Sequence, residues 1–314
     1  MDVISMPMWA WILFYALVIV MLYADLKLFG RKGQHEVSIS EALKMTAVWI
    51  IVSLIFCGGI WFYEGDNKAM EFLAGYLIEK SLSMDNLFVF LMLFSFFGVQ
   101  RKYQHEVLFW GIFGALILRS IFIFAGAAMV QRFEWILGIF GIFLIYTGIK
   151  MFNHQEESVD PSKNIFVKLF KKFFPVTDQM HEDKFFIVEQ GKRLATPLFI
   201  ALLVIETTDV AFAVDSIPAV FSVSRDPFIV LTSNIFAILG LRALYFALAA
   251  IAQYFAYLKY GLGIILSFVG VKMLLEVLWD INIPTPISLL IIFGVLVLSM
   301  LASYVATLYS RRRQ

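Results

Sequence analysis

Long apolar runs alternate with short polar breaks along the whole chain. Nine runs approach the roughly 20 residues that cross a bilayer core of about 30 Å, at about 8–24, 43–63, 72–98, 106–129, 133–152, 197–222, 227–252, 258–279 and 286–309. Segments such as AWILFYALVIVMLY have no polar face at helical period, which a helix on a soluble core requires. The pattern predicts an all-α polytopic membrane protein, a single transmembrane domain over 1–314 with about nine transmembrane helices. One polar stretch is long, 153–195. Within it, NIFVKLFKKFF places Ile165, Phe166, Leu169, Phe170 and Phe173 on one helical face, with Lys168, Lys171 and Lys172 beside it. A helix lying in the headgroup plane reads this way, and so does an amphipathic helix packed on the protein's own inner ends. The residues around Gln190 and Gly191 predict a short hairpin.

Composition agrees with the pattern. Charged residues make up 16% of the 314, where a soluble domain carries about a quarter. The net charge of +1 gives no indication of a nucleic-acid partner, and none is expected. The lone cysteine, Cys57, excludes a disulfide framework, a CxxC pair and a multi-thiolate metal site. His35, His105, His154 and His181 all fall outside the apolar runs, so no histidine pair is available within a span for haem or copper. The N-terminus has no basic n-region or small-residue cleavage site, so the first span is expected to remain. Lys and Arg set the orientation. They crowd 27–44, 101–102, the 153–195 loop and the terminal SRRRQ, against Lys68, Arg132 and Arg225 on the other side. The N-terminus is therefore expected outside and the C-terminus in the cytoplasm.

The chain also repeats itself. EKSLSMDNLFVF in the third run and DVAFAVDSIPAVF in the sixth align Glu79 with Asp209 and Asp85 with Asp215. ALILRSIF and AILGLRALYF align Arg119 with Arg242. IYTGIKMF and SFVGVKMLL align Gly148 with Gly270 and Lys150 with Lys272. The offset drifts only from 130 to 122 residues. Each unit, about 72–152 and about 197–279, holds three runs, so the second copy crosses in the opposite sense. Two inverted three-helix repeats flanked by peripheral helices (8–24, 43–63 and 286–309) are a transporter signature.

Ionisable groups inside a span are costly and therefore functional candidates. The acids are Glu79, Asp85, Glu206, Asp209 and Asp215; the bases at similar depth are Lys80, Arg119 and Arg242. Lys272 and Glu276, four apart, can pair with each other. Five acids against three bases leave two negative charges, matching one divalent cation or two protons. Six residues along a helix advance about 9 Å and turn about 240°, so Glu79 and Asp85 cannot chelate one ion from a regular helix. Glu206 and Asp209 share a face. Pro218 removes the donor for the Val214 carbonyl. A break there would let Asp215 and free carbonyls meet Ser83, Asp85 and Asn86. Such an all-oxygen site suits Mg, Ca or Mn rather than Cu or Zn. Some of the acids, alternatively, only neutralise Lys80, Arg119 or Arg242. In the long loop, His181, Glu182 and Asp183 form either a metal site or a solvated acidic turn.

GYLIEKSLSMDNLFVF, DVAFAVDSIPAVF, DPFIVLTSNIFAILGLRALYF and GVKML resemble the TerC family of bacterial integral membrane proteins, its Alx subgroup above all, over nearly the whole chain. The resemblance implies an inner-membrane protein related to the LysE transporter superfamily. It implies manganese export from the cytoplasm, with links to tellurium resistance and alkaline pH. The family's acidic motif residues fall here on Glu79, Asp85, Glu206, Asp209 and Asp215. IETTDVAF differs from many relatives only between its acids. Some relatives are labelled redox modulators, which one thiol and no intramembrane histidine do not support.

The leading expectation is a secondary exporter of Mn²⁺ or another divalent cation by alternating access, with exchange for protons as one form of coupling. Asp85, Asp209, Asp215, Glu79, Glu206 and Asn86 would handle the ion, with Lys80, Arg119 and Arg242 as charge partners. No nucleotide-binding GxxxxGK[ST] is present, no permanently bound cofactor is expected, and protein partners stay open. A membrane scaffold in tellurium or alkaline stress is the alternative. An intramembrane aspartyl enzyme using Asp85 and Asp215 is the third, and it lacks its Gly-x-Gly-Asp motif.

Overall fold

The computed structural model describes residues 6–30, 38–133, 135–153, 164–177, 179, 181, 184–189, 191–251 and 258–311. Of these, residues 26, 28–30, 85, 88, 153, 250–251, 258 and 307–311 are described by backbone alone. His35, His154, Glu182, Asp183, Gln190 and the Asp85 side chain therefore lie outside the described residues.

The chain is mostly helical. In order it forms α1 (Met8–Gly30), α2 (Ile39–Glu64), α3 (Asp66–Phe96), α4 (Arg101–Arg132) and α5 (Ile136–Asn153), then the short α6 (Ile165–Phe173). A hairpin of β1 (Phe186–Glu189) and β2 (Lys192–Ala195) follows. The chain ends with α7 (Pro197–Phe221), α8 (Pro227–Ile238), α9 (Leu241–Ile251), α10 (Leu258–Trp279) and α11 (Thr285–Arg311). The hairpin sits where it is expected, with Glu189 opposite Lys192. Among the described residues, seven segments are long and apolar enough to cross a membrane, α8 and α9 counting together as one. The other two expected spans are also helical. α3 is 31 residues long but carries too many charges to count by composition, and α5 has a shorter apolar stretch, Ile136–Phe152.

Local chemistry sets the boundaries. Ser38 caps α2 in a reciprocal capping box with Glu41, satisfying donors that the first helical turn leaves free. Gly65, at φ 90°, separates α2 from α3, a backbone region open mainly to glycine. Pro197 and Pro227 open α7 and α8 at the first helical turn, where the missing N–H costs nothing.

One expectation about helix breaks is corrected. α7 runs unbroken through Pro218 to Phe221. The break falls one span later, between α8 and α9, where Gly240 takes φ 85°. A side chain there would bring its Cβ within 2.6 Å of the Trp49 ring. Proline removes a single bond, and the packed helix absorbs it; a left-handed residue redirects the chain.

The core packs α3 between α7 and α8, and α4 beside α7 and α8. α5 lies along α10 at very short range. A Cβ on Gly141 would stand 2.9 Å from the Gly270 carbonyl oxygen, and one on Gly148 would stand 2.7 Å from that of Gly263. Gly141 and Gly148 on α5, like Gly263 and Gly270 on α10, are seven residues apart, nearly two helical turns, so both contacts fall on one face. Small residues are what let two backbones approach this closely.

Candidate cation site

Arg119 projects from α4 into the centre of the bundle and is fully buried. Its Nε and Nη2 donate to the two carboxylate oxygens of Asp209 on α7, at 3.1 and 2.9 Å. Its Nη1 donates to Glu79 on α3, and reaches Ser216 and Asn234 at 3.4 Å each. Glu79 is also fully buried and accepts from Ser83 Oγ at 3.1 Å and from Asn234 Nδ2 at 2.8 Å. One guanidinium therefore fastens α3, α4, α7 and α8 together. Buried charges persist only when paired and hydrogen-bonded in this way.

Glu206 lies one turn before Asp209 on the same face of α7, close enough to feel its charge. Its carboxylate is pressed onto Gly114 of α4, which has no side chain to fill that space. Among the described residues, its buried Oε2 has no hydrogen-bond donor. Glu79 and Asp209 thus close on Arg119, and Glu206 stands beside Asp209.

Lys80, Asp215 and Arg242 go elsewhere. Lys80 donates to the Ala237 carbonyl at 3.0 Å rather than to an acid. That carbonyl sits at the α8 C-terminus, where helical partners run out. Asp215 turns toward α5, where it meets Thr147 and the charge of Lys150. Asn86 is buried on α3, and Asp85 lies on the same helix. Arg242, the repeat counterpart of Arg119, is bound instead at the end of α1. Its Nη2 donates to the carboxylate of Asp25 at 3.0 Å and to its carbonyl at 2.7 Å. Glu276 is bound by Arg225 at 2.7 Å and also stands close enough to Lys272 for their charges to interact.

These placements revise the count of charges. Two acids on one guanidinium and a third beside Asp209 formally leave two negative charges within this smaller set. Among the described residues, no three His, Cys, Asp or Glu side chains lie close enough to hold a metal ion by themselves. Arg119 stands between Glu79 and Asp209.

Sequence reasoning missed Asp25, Ser216, Thr147, Asn234 and the Gly240 break. Asn234 was marked by the run Thr232, Ser233, Asn234 inside an apolar span, all three fully buried. Asp25 was hidden because the apolar run ends just before it, while α1 continues to Gly30.

A bundle of membrane-length helices around a buried charge cluster defines a polytopic integral membrane protein. The integral membrane protein TerC family matches residues 64–313, and the chain belongs to that family. It is 48% identical over 295 residues, 94% of this chain and 92% of the relative, to "Uncharacterized membrane protein STKORF319" of Myxococcus xanthus. It is 46% identical over 310 residues, 96% and 95% of the two chains, to "Putative membrane-bound redox modulator Alx" of Escherichia coli K12. An "Uncharacterized membrane protein" of Rickettsia bellii is 40% identical over 296 residues, 94% and 97% of the two chains. No solved structure matches the chain.

Proposed function

We propose that this protein is a secondary transporter that carries a divalent metal cation, Mn²⁺ in the family reading, out of the cytoplasm by alternating access. In this reading α3 and α5 cross the membrane with the seven apolar spans, and α3–α5 and α7–α10 are inverted repeats.

Packing supports the inversion. Exchanging the repeats turns the α3–α8 contact into α7–α4, and α5–α7 into α10–α3, and all four are present. The offset that aligns Gly148 with Gly270 also carries Gly141 onto Gly263. The two close contacts, Gly141 with Gly270 and Gly148 with Gly263, are then images of each other. Transporters built this way rock one repeat against the other around a shared site.

One observation carries the functional reading. Glu79 and Asp209 hold equivalent places in the two repeats and converge on the same buried Arg119. Beside them Glu206 keeps an oxygen that accepts nothing. A divalent cation balances the two surplus charges, and oxygen ligands suit a hard ion. Arg119 holds Glu79 and Asp209 in this conformation; loading the cation releases part of that grip and draws in Glu206. Asp85 and Asn86 on α3 and Asp215 on α7 complete the set of candidates.

The name of the Alx relatives points to redox modulation. Cys57, the only thiol, faces the Ala69 carbonyl at 3.5 Å, and a single cysteine forms no disulfide within a chain. The aspartyl-enzyme reading gains nothing from Asp215, whose carboxylate faces Thr147.

Reconstituted vesicles test the proposal. Mn²⁺ should cross in a manner driven by a pH gradient, and Glu206→Gln or Asp85→Asn should stop it while leaving a folded protein. Movement that is unchanged in both variants, or absent from the wild type with Mn²⁺, Ca²⁺ and Mg²⁺ alike, would overturn it.

A further inference from the structure

α6 carries an apolar stripe that no other described residue covers. Its inner face is fixed to the bundle: Val167 is buried, and the Phe170 ring stands 5.0 Å from that of Phe199 at the start of α7. Asn164 caps the helix through the backbone of Phe166 and Val167, and its amide donates to Thr207 Oγ1 at 2.9 Å. Thr207 is eight residues beyond Phe199, about 12 Å along α7. α6 therefore runs back along the first turns of α7, with its N-terminal end deep and its C-terminal end near the entry of α7.

The next face turns outward. Ile165 and Phe173 are 72% and 73% exposed, and Phe166 and Leu169 lie exposed between them. Lys168, Lys171 and Lys172 border this stripe, all exposed, and α6 has no acidic residue. At nine residues it is too short to span a bilayer. Two of its three charges, Lys171 and Lys172, lie in its last turn, toward the membrane surface, and its first three residues are apolar.

We propose that α6 is a docking surface for an anionic phospholipid. The acyl chains lie on Ile165, Phe166, Leu169 and Phe173. The phosphate headgroup sits among Lys168, Lys171 and Lys172, whose alkyl stems follow the stripe and whose ammonium groups reach the headgroup layer. The complementarity is double: an uncovered apolar surface meets hydrocarbon, and a basic edge meets an anionic headgroup. This inference is independent of what the protein transports.

The test uses the full chain in nanodiscs of phosphatidylcholine alone and of phosphatidylcholine mixed equally with phosphatidylglycerol. A spin label on Phe166→Cys, in a Cys57→Ala background, should collide with oxygen and be shielded from a water-soluble nickel complex. Wild-type protein should retain phosphatidylglycerol over phosphatidylcholine through detergent extraction, read by native mass spectrometry. Replacing all three lysines with glutamine should lower that preference by about tenfold or more. A nickel-accessible label at position 166 would overturn the proposal, as would an unchanged lipid preference in the triple variant.

Discussion

Arg119 has a different standing from any other charge in the protein. It lies buried with two carboxylates, and removing one member of such a group leaves the others uncompensated. Arg119→Gln should lower unfolding free energy by about 3–5 kcal/mol, read as a large drop in melting temperature in detergent. Asp209→Asn should cost less, because its amide oxygen still accepts from the guanidinium and Glu79 remains. Asn234→Leu removes the amide that donates to Glu79 at 2.8 Å and should cost about 1.5–3 kcal/mol, the range for a hydrogen bond to a charged group. Comparable melting of Arg119→Gln and wild type would mean that the cluster is wetter than its burial indicates.

The identity of these residues was legible in the sequence; their partners were not. Glu79, Arg119 and Asp209 stand out as charges in apolar runs, and their repeat spacing is visible. Which acid meets which base depends on the rotation of each helix, and apolar runs without a polar face do not encode it. Arg242 illustrates the limit. Spacing makes it the twin of Arg119, yet α1 continues past its apolar run and brings Asp25 to meet it.

Among elements, the closest association is α5 with α10. Gly148→Ala would push a methyl group toward the Gly263 carbonyl and the Ser267 side chain. Overpacking of this kind costs about 1–3 kcal/mol. Gly294 on α11 has nothing within 4 Å of where a Cβ would stand, so Gly294→Ala should be neutral or stabilise by up to about 1 kcal/mol through helix propensity. Thermal melts of the two variants should therefore move in opposite directions or, at the least, differ clearly. The sequence marked Gly148 and Gly270 by repetition, but not that they belong to an antiparallel contact. It also marked Pro218 as a break, although the turn is made by Gly240. A proline is locally conspicuous, while a glycine's φ is decided by what packs around it, here Trp49.

At the scale of the whole molecule, the positive-inside pattern makes a checkable statement. A reporter in the β1–β2 hairpin and one at the C-terminus should react from the same face of the membrane, and one beside Arg225 from the other. The extents of the helices were largely readable, since bilayer thickness sets the length of the apolar runs. The break at Gly240, the course of α6 along α7 and the end of α1 were not, because each depends on a neighbour distant in sequence.

The shared arginine also bears on ancestry. If the halves descend from one small protein that paired with an upside-down copy of itself, the symmetry axis would run beside Arg119, between Glu79 and Asp209. A point on an axis accommodates one guanidinium, not two. An ancestral pair of identical chains would have forced two like charges into that place or left one arginine stranded. Joined into a single polypeptide, the copies would escape that conflict: one half would keep the axial arginine, and the other would be free to pair its own with Asp25. Expressed apart, the two halves should assemble with each other, and neither should assemble with itself.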